Sequence, residues 1–227
     1  MRSRFDLART RMTEIILVRH GQANSNATDE AGYDRLSDLG HRQAGWLGEW
    51  LAATDPHFDR IVTGTLTRQR QTAAAMGYTA TGEDARLNEL TYFDLAHAME
   101  AQHGVKAPEA AHEFARYLPD VIGRWSEDKL IGVPETFGSF NTRIITLIDE
   151  IAAQHGRSLL VTSGGVIGMV MRHVLGLDTD SMTRMMLRTH NSSVHRLRHI
   201  HGQLVLDSFN ATPHLDAADR AHARTFI

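Results

Sequence analysis

The sequence predicts an α/β domain, with helices packed around a mostly parallel sheet, and three observations carry that expectation. Short apolar runs alternate with longer segments of helical periodicity. The clearest runs are continuously apolar rather than alternating, as expected of strands covered on both faces. The composition is that of an ordinary globular chain, 227 residues with 42% hydrophobic and 22% charged residues, enough for one large domain with a full core.

The elements follow in order. Met1–Thr13 carries Arg2, Arg4, Arg9 and Arg11 but no apolar stretch of the secretory kind, and reads as an extension, or an upstream start, ahead of Met12. The domain proper is expected over residues 14–227. Glu14–Val18 is the first strand and stops at Arg19-His20-Gly21; a polar, Asn-rich loop continues to about Tyr33. Ser37 is placed to cap a helix in which Leu39, Trp46, Leu47, Trp50 and Leu51 share a face, both tryptophans being expected in the core. Asp55-Pro56 ends it. Arg60–Thr63 is a second strand, after which Gly64 opens a helix running to Gly77. Residues 96–134 break the rhythm: they read as helical, Ala110–Trp125 most clearly, and are expected as an insertion over the sheet edge rather than a second domain. Phe140, Ile144, Leu147, Ile148 and Ile151 form an amphipathic stripe. Ser158–Thr162 is the third strand, Ser163-Gly164-Gly165 its turn, and Val166–Val174 a helix that stops near Gly176. Ser193–Arg198 and Gln203–Phe209 read as a β-pair turning at His201-Gly202.

Composition also narrows the function. There is no cysteine, which removes disulfide and thiolate chemistry and suits a reducing, cytoplasmic compartment. A net charge of −3 argues against a general nucleic-acid binder, and no apolar run approaches the roughly 20 residues of a membrane span. His195, His199 and His201 cluster in sequence without an acidic partner, so a solvated strand edge is expected there and no metal site.

Open parallel sheets bind ligands beyond the carboxyl ends of their strands. Three loops of that kind carry Arg19, His20 and Gly21; then Arg68 in the first turns of a helix; then Ser163, Gly164 and Gly165 at another helix start. Two guanidiniums and two helix N-termini aimed at one place would make an anion site. A histidine there is either one more donor or a nucleophile, and spacing alone favours neither.

Leu17-Val18-Arg19-His20-Gly21-Gln22, with Asn26 six positions beyond the histidine, resembles the signature of the histidine phosphatase (phosphoglycerate mutase-like) superfamily. The resemblance continues in order through Leu36–Ala44, Thr65–Ala73, Leu87-Asn88-Glu89, Glu135-Thr136-Phe137 with Arg143, Val161–Ile167 and Asn191–Val194, covering about Glu14 to Phe209. It implies a three-layer α/β/α sandwich and a two-step phosphoryl transfer. On matching positions His20 would attack phosphorus, Glu89 would serve as acid and then base, and Arg19, Arg68, Asn26, Ser163 and Gly164 would hold the phosphoryl group, with no metal or organic cofactor. The family's last loop normally carries a second histidine where this chain has Ser163, like a bacterial subgroup with Ser-Gly-Gly. A serine supplies one hydrogen bond and no charge, which puts about 10- to 100-fold in rate or affinity at stake. The expectation is a phosphomonoester hydrolase for a small phosphorylated metabolite, with no nucleic-acid or membrane partner and a homodimer allowed for. The alternatives are a mutase, which the short 96–134 segment does not favour, and a relative that binds phosphate ligands with little or no turnover.

Overall fold

The computed structural model describes residues 13–24, 27, 29–108 and 110–226. β1 (Thr13–Arg19) shows why the fold has three layers: Ile15 and Leu17 enter one core while Ile16 and Val18 enter another, on the opposite face. A strand apolar on both sides needs helices on both sides, and the chain supplies them.

On one face lie α2 (Asp38–Thr54), through Ala44, Leu47 and Leu51, and the end of α3 (Thr67–Ala75). The other face carries the larger core, made by α4 (Tyr92–His103), α5 (Ala111–Ser126), α6 (Phe137–Ala152), α7 (Gly164–Leu175) and α8 (Thr179–Met186). α1 (Glu30–Tyr33) is a single turn within the loop after β1. The sheet adds β2 (Arg60–Thr63), β3 (Gly82–Glu83), β4 (Gly156–Thr162), β5 (Val194–Ile200) and β6 (Gln203–Ala211) in the spatial order β3-β2-β4-β1-β5-β6. β1, β2, β3 and β4 run parallel, and β5 turns back antiparallel to β1. The β5–β6 turn has positive φ at both His201 and Gly202, the backbone that suits a tight two-residue hairpin.

Several expectations need adjusting. The 96–134 stretch contributes to the larger core as well as covering it: Met99, Leu118, Val121, Ile122 and Trp125 are buried there, where α5 packs on α6 and α8. The second helix begins at Thr67, not Gly64, because Gly64 and Thr65 are still held by Val161 O and the Asn88 side chain. Trp46 is only half-buried, with the guanidiniums of Arg42 and Arg220 on its ring. His195 is fully buried rather than at a solvated edge, its Nε2 facing Ser193 Oγ at 2.9 Å and its Nδ1 accepting from Asn210 N at 3.2 Å. The buried end of β5, not the exposed end, contains it. Residues 1–12, most of the N-terminal extension, lie outside the described residues. Among those described, no helix is long and apolar enough to cross a membrane, and no three His, Asp or Glu side chains form a metal-ligand set.

Candidate active site

β1 and β4 end level with each other, Arg19 opposite Thr162, and β2 ends beside them with Thr63 opposite Val161. The loops that leave these strands are tied to one another. His20 N donates to Thr162 O at 2.9 Å, and Gly64 N to Val161 O at 3.1 Å. From the antiparallel side Arg19 N donates to Ser193 O and Ser192 N to His20 O. The first loop also rests on α2 so closely that a Cβ on Gly21 would stand 2.4 Å from Gly40 O, a contact only glycine permits.

His20 is 1% exposed, and its Nδ1 lies 2.7 Å from Gly21 O. A carbonyl only accepts, so Nδ1 carries the hydrogen and the Nε2 lone pair is left for a ligand. Burial, followed by the Arg68 and Arg19 charges, holds the imidazole pKa well below its ordinary value. The ring is therefore neutral and nucleophilic at neutral pH.

The two arginines are each half spent. Arg19 gives Nη1 to Thr189 O, and its Nε is buried with no partner. Arg68 is completely buried and gives Nη1 to Asp34 Oδ1 at 3.1 Å, while its Nε and Nη2 are likewise buried without hydrogen-bond partners. Three buried guanidinium donors beside one histidine find no acceptor among the described residues, and burying a donor without an acceptor is costly. An oxyanion would satisfy all of them.

Helix N-termini play a different part from the one expected. Both are occupied by carboxylates of the protein itself. Asp34 accepts from Thr67 N at 2.9 Å and Arg68 N at 3.2 Å at the start of α3. Glu89 accepts from Gly165 N with both oxygens, at 3.0 and 2.9 Å, at the start of α7. The two helix dipoles therefore fix the acidic groups in place, and the arginines carry the field that an anion would meet.

Glu89 is held on three sides. Leu90 N donates to Oε1 at 3.0 Å, leaving Oε2 the less engaged oxygen. Arg143, paired with Glu135, donates to Arg86 O and Asn88 O and so pins the segment just before it. A Cβ on Gly165 would lie 2.2 Å from Glu89 Oε1, so a larger residue there would push the carboxylate out of this position. Gly164 lies where both groups meet: a Cβ on it would have Arg19 Nε at 3.6 Å and Glu89 Oε2 at 3.8 Å.

Ser163 is in the wall rather than in the opening. It is fully buried, and its Oγ accepts from Gln69 Nε2 at 2.9 Å. His190 packs edge-on against Phe226, ring centroids 6.0 Å apart. Asn26 lies outside the described residues.

Sequence reasoning passed over Glu30 and Tyr33. Glu30 Oε1 comes within 3.8 Å of Arg68 Nη2, and burial raises its pKa against the opposing Arg68 charge. The Tyr33 ring lies 5.0 Å from Arg68 Cζ. Their only sequence signal is the Asp29 cap that makes a helical turn within a polar loop.

The sequence profile of the histidine phosphatase superfamily (branch 1) matches residues 15–212. No curated protein matches the chain. Among solved structures, a histidine-to-alanine mutant of phosphoserine phosphatase from Entamoeba histolytica, in complex with phosphoserine, is 18% identical; the match covers 90% of this chain and 100% of that one, with a TM-score of 0.66. Phosphoglycerate mutase from Bacillus anthracis is 21% identical over 92% of this chain and 97% of that one, TM-score 0.64. A mycobacterial glucosyl-3-phosphoglycerate phosphatase, in complex with VO3, is 25% identical over 88% and 99%, TM-score 0.62.

Proposed function

The chain belongs to the histidine phosphatase superfamily, branch 1, and from that premise we propose that it hydrolyses a small phosphomonoester through phosphorylated His20. One observation carries the reading: the buried, unpartnered donors of Arg19 and Arg68 lie beside an imidazole whose Nδ1 hydrogen is already committed to Gly21 O.

In the first step the His20 Nε2 lone pair forms a bond to phosphorus as the ester P–O bond breaks, and the departing oxygen takes a proton from Glu89. In the second, water bonds to phosphorus as the P–N bond breaks. Its proton goes to the Glu89 carboxylate, and the electron pair returns to Nε2. Arg19 and Arg68 offset the charge on the equatorial oxygens. The low pKa of His20 has a direct use here, because a protonated ring has no lone pair to offer.

Hydrolysis is preferred to mutase action because the 96–134 segment is committed to the core and does not form a separate cover that would keep water from the intermediate. Release of phosphate from p-nitrophenyl phosphate and trapping of an acid-labile phosphoprotein in rapid-quench experiments test the reading. His20→Ala should lower turnover by roughly 10⁴-fold or more and abolish the trapped species, with the melting temperature little changed. Turnover by that variant at a comparable rate would overturn the nucleophile assignment.

A further inference from the structure

The replacement of the second histidine by Ser163 leaves the anion site without the charge an imidazolium would bring, Ser163 Oγ being a neutral hydroxyl that accepts from Gln69 Nε2 at 2.9 Å. Another polar side chain stands at the two arginines. Tyr33 lays its ring against the Arg68 guanidinium, 5.0 Å from Cζ. Burial lowers the Arg19 pKa, and the Tyr33 hydroxyl and Glu89 carboxylate, which flank its guanidinium, oppose that shift. A group that touches both arginines is within reach of any oxyanion that bridges them.

We propose that Tyr33 is a catalytic residue, its phenol donating a hydrogen bond to a non-bridging oxygen of the phosphoryl group clasped by Arg19 and Arg68. The inference rests on the phosphatase reading above and deepens it. The phenol adds a neutral donor to a site in which Ser163 supplies no charge.

Its position is built in rather than accidental. Asp29 caps the turn, accepting from Gly32 N at 2.7 Å, and Tyr33 N donates to Asp29 O at 3.1 Å. The next residue, Asp34, is clamped by Thr67 N, Arg68 N and Arg68 Nη1. The turn that carries the ring is thereby held at both ends, and a donor on a pre-placed element loses little entropy when a ligand arrives. Glu30, on the same turn and 37% exposed, stands toward the mouth and competes with an incoming anion for Arg68 Nη2. Within one turn the sequence thus carries a group that receives the phosphoryl oxygens and a group that they displace.

Tyr33→Phe removes the hydroxyl and keeps the ring over Arg68. The expected result is a fall of about 10- to 100-fold in kcat for p-nitrophenyl phosphate, the effect of one hydrogen bond to a charged group. Calorimetry should show orthovanadate and inorganic phosphate binding weakened by a similar factor, with the melting temperature within about 2 °C of wild type. The loss should be equal for an alkyl phosphate and for the nitrophenyl ester, because the contact is to the phosphoryl oxygens and not to the leaving group. A variant equal to wild type in turnover and in vanadate affinity overturns the proposal. So does one that is faster or binds more tightly, which would make the phenol an obstruction, and so does wild-type protein that binds neither ligand. If wild type binds vanadate but releases no phosphate from any ester, the phosphatase reading fails and the vanadate affinities of the two proteins alone decide the role of Tyr33.

Discussion

β1, β4 and β5 carry an arginine cluster at each end, and the two clusters are opposites. At the end away from the site, Arg157 spends its guanidinium on Glu14 Oε2 at 2.6 Å, His57 O at 2.6 Å and Asp55, and Arg196 donates to Asp55 Oδ2 at 2.7 Å. At the other end Arg19 and Arg68 keep three buried donors unpaired. Charge does not separate the two ends, because each holds arginines among carboxylates. Unspent hydrogen-bonding capacity does. Guanidinium donors buried without a protein partner carry a cost that a bound anion would offset, whereas the guanidiniums of Arg157 and Arg196 are met by the protein's own carboxylates and carbonyls.

The ends should also fail differently in acid. His195 and His214 lie behind the site, burial pushing them down to about 3 and about 4 respectively. Both are neutral in the folded protein, and in the unfolded chain they take up protons near their ordinary value of 6.5. Above that pH neither contributes. Below it the unfolded state binds protons that the folded state refuses, so stability falls by about 1.4 kcal/mol per pH unit for each histidine until its folded pKa is reached. Asp55 has the same sign in a lower window: burial raises its pKa, but the hydrogen bonds from Arg157 and Arg196 outweigh that and hold it below 3.8, so its stabilisation is intact above that pH and is lost only below it. Hydrogen exchange, corrected for its intrinsic pH dependence, should therefore quicken around residues 189–195 between pH 6.5 and 4, and around residues 55–59 only below about pH 3.8. The reverse order would break the contrast. This is the largest effect expected, several kcal/mol in total.

Arg68→Lys comes next. The charge is kept but the fork is lost, and with it the simultaneous hold on Asp34 and on a ligand. A drop of about 100-fold in kcat/KM is expected, with vanadate affinity falling in parallel. A fully active lysine variant would show that charge alone serves at this end.

The smallest effect belongs to the finished cluster. Arg157→Ala should cost about 1–2 kcal/mol in chemical denaturation, since the side chain is partly exposed and Arg196 remains to hold Glu14 and Asp55. Turnover per folded molecule should be unchanged. Lost activity with intact stability would mean that the two ends communicate along β4.

Much of the architecture was readable before any coordinates. Ile15-Ile16-Leu17-Val18 is apolar at every position, and only a strand between two helical layers can bury such a run. Ser37 begins its helix as the expected capping residue, its Oγ accepting from Gly40 N at 3.1 Å. The β5–β6 turn follows from His201-Gly202. Where the reading failed, the deciding contact was distant in sequence. α3 begins three residues late because Asn88 and Val161 hold the chain before it. His195 is buried because the N-terminal end of β5 is covered by Asn210 and Phe209 of its partner strand.

What the residues determined by themselves, then, were the period of each element, its caps, and which strands would be covered on both faces, because those depend on neighbours a few positions away. They also marked Arg19, His20, Arg68 and Glu89 through the family's pattern. Only the folded chain decided how hydrogen-bonding capacity is shared out: that Asp34 and Glu89 occupy the helix N-termini, that Gln69 claims Ser163, and that Tyr33 leans on Arg68. Each of those outcomes is a competition among donors and acceptors dozens of residues apart, and such a competition has no local signature in sequence.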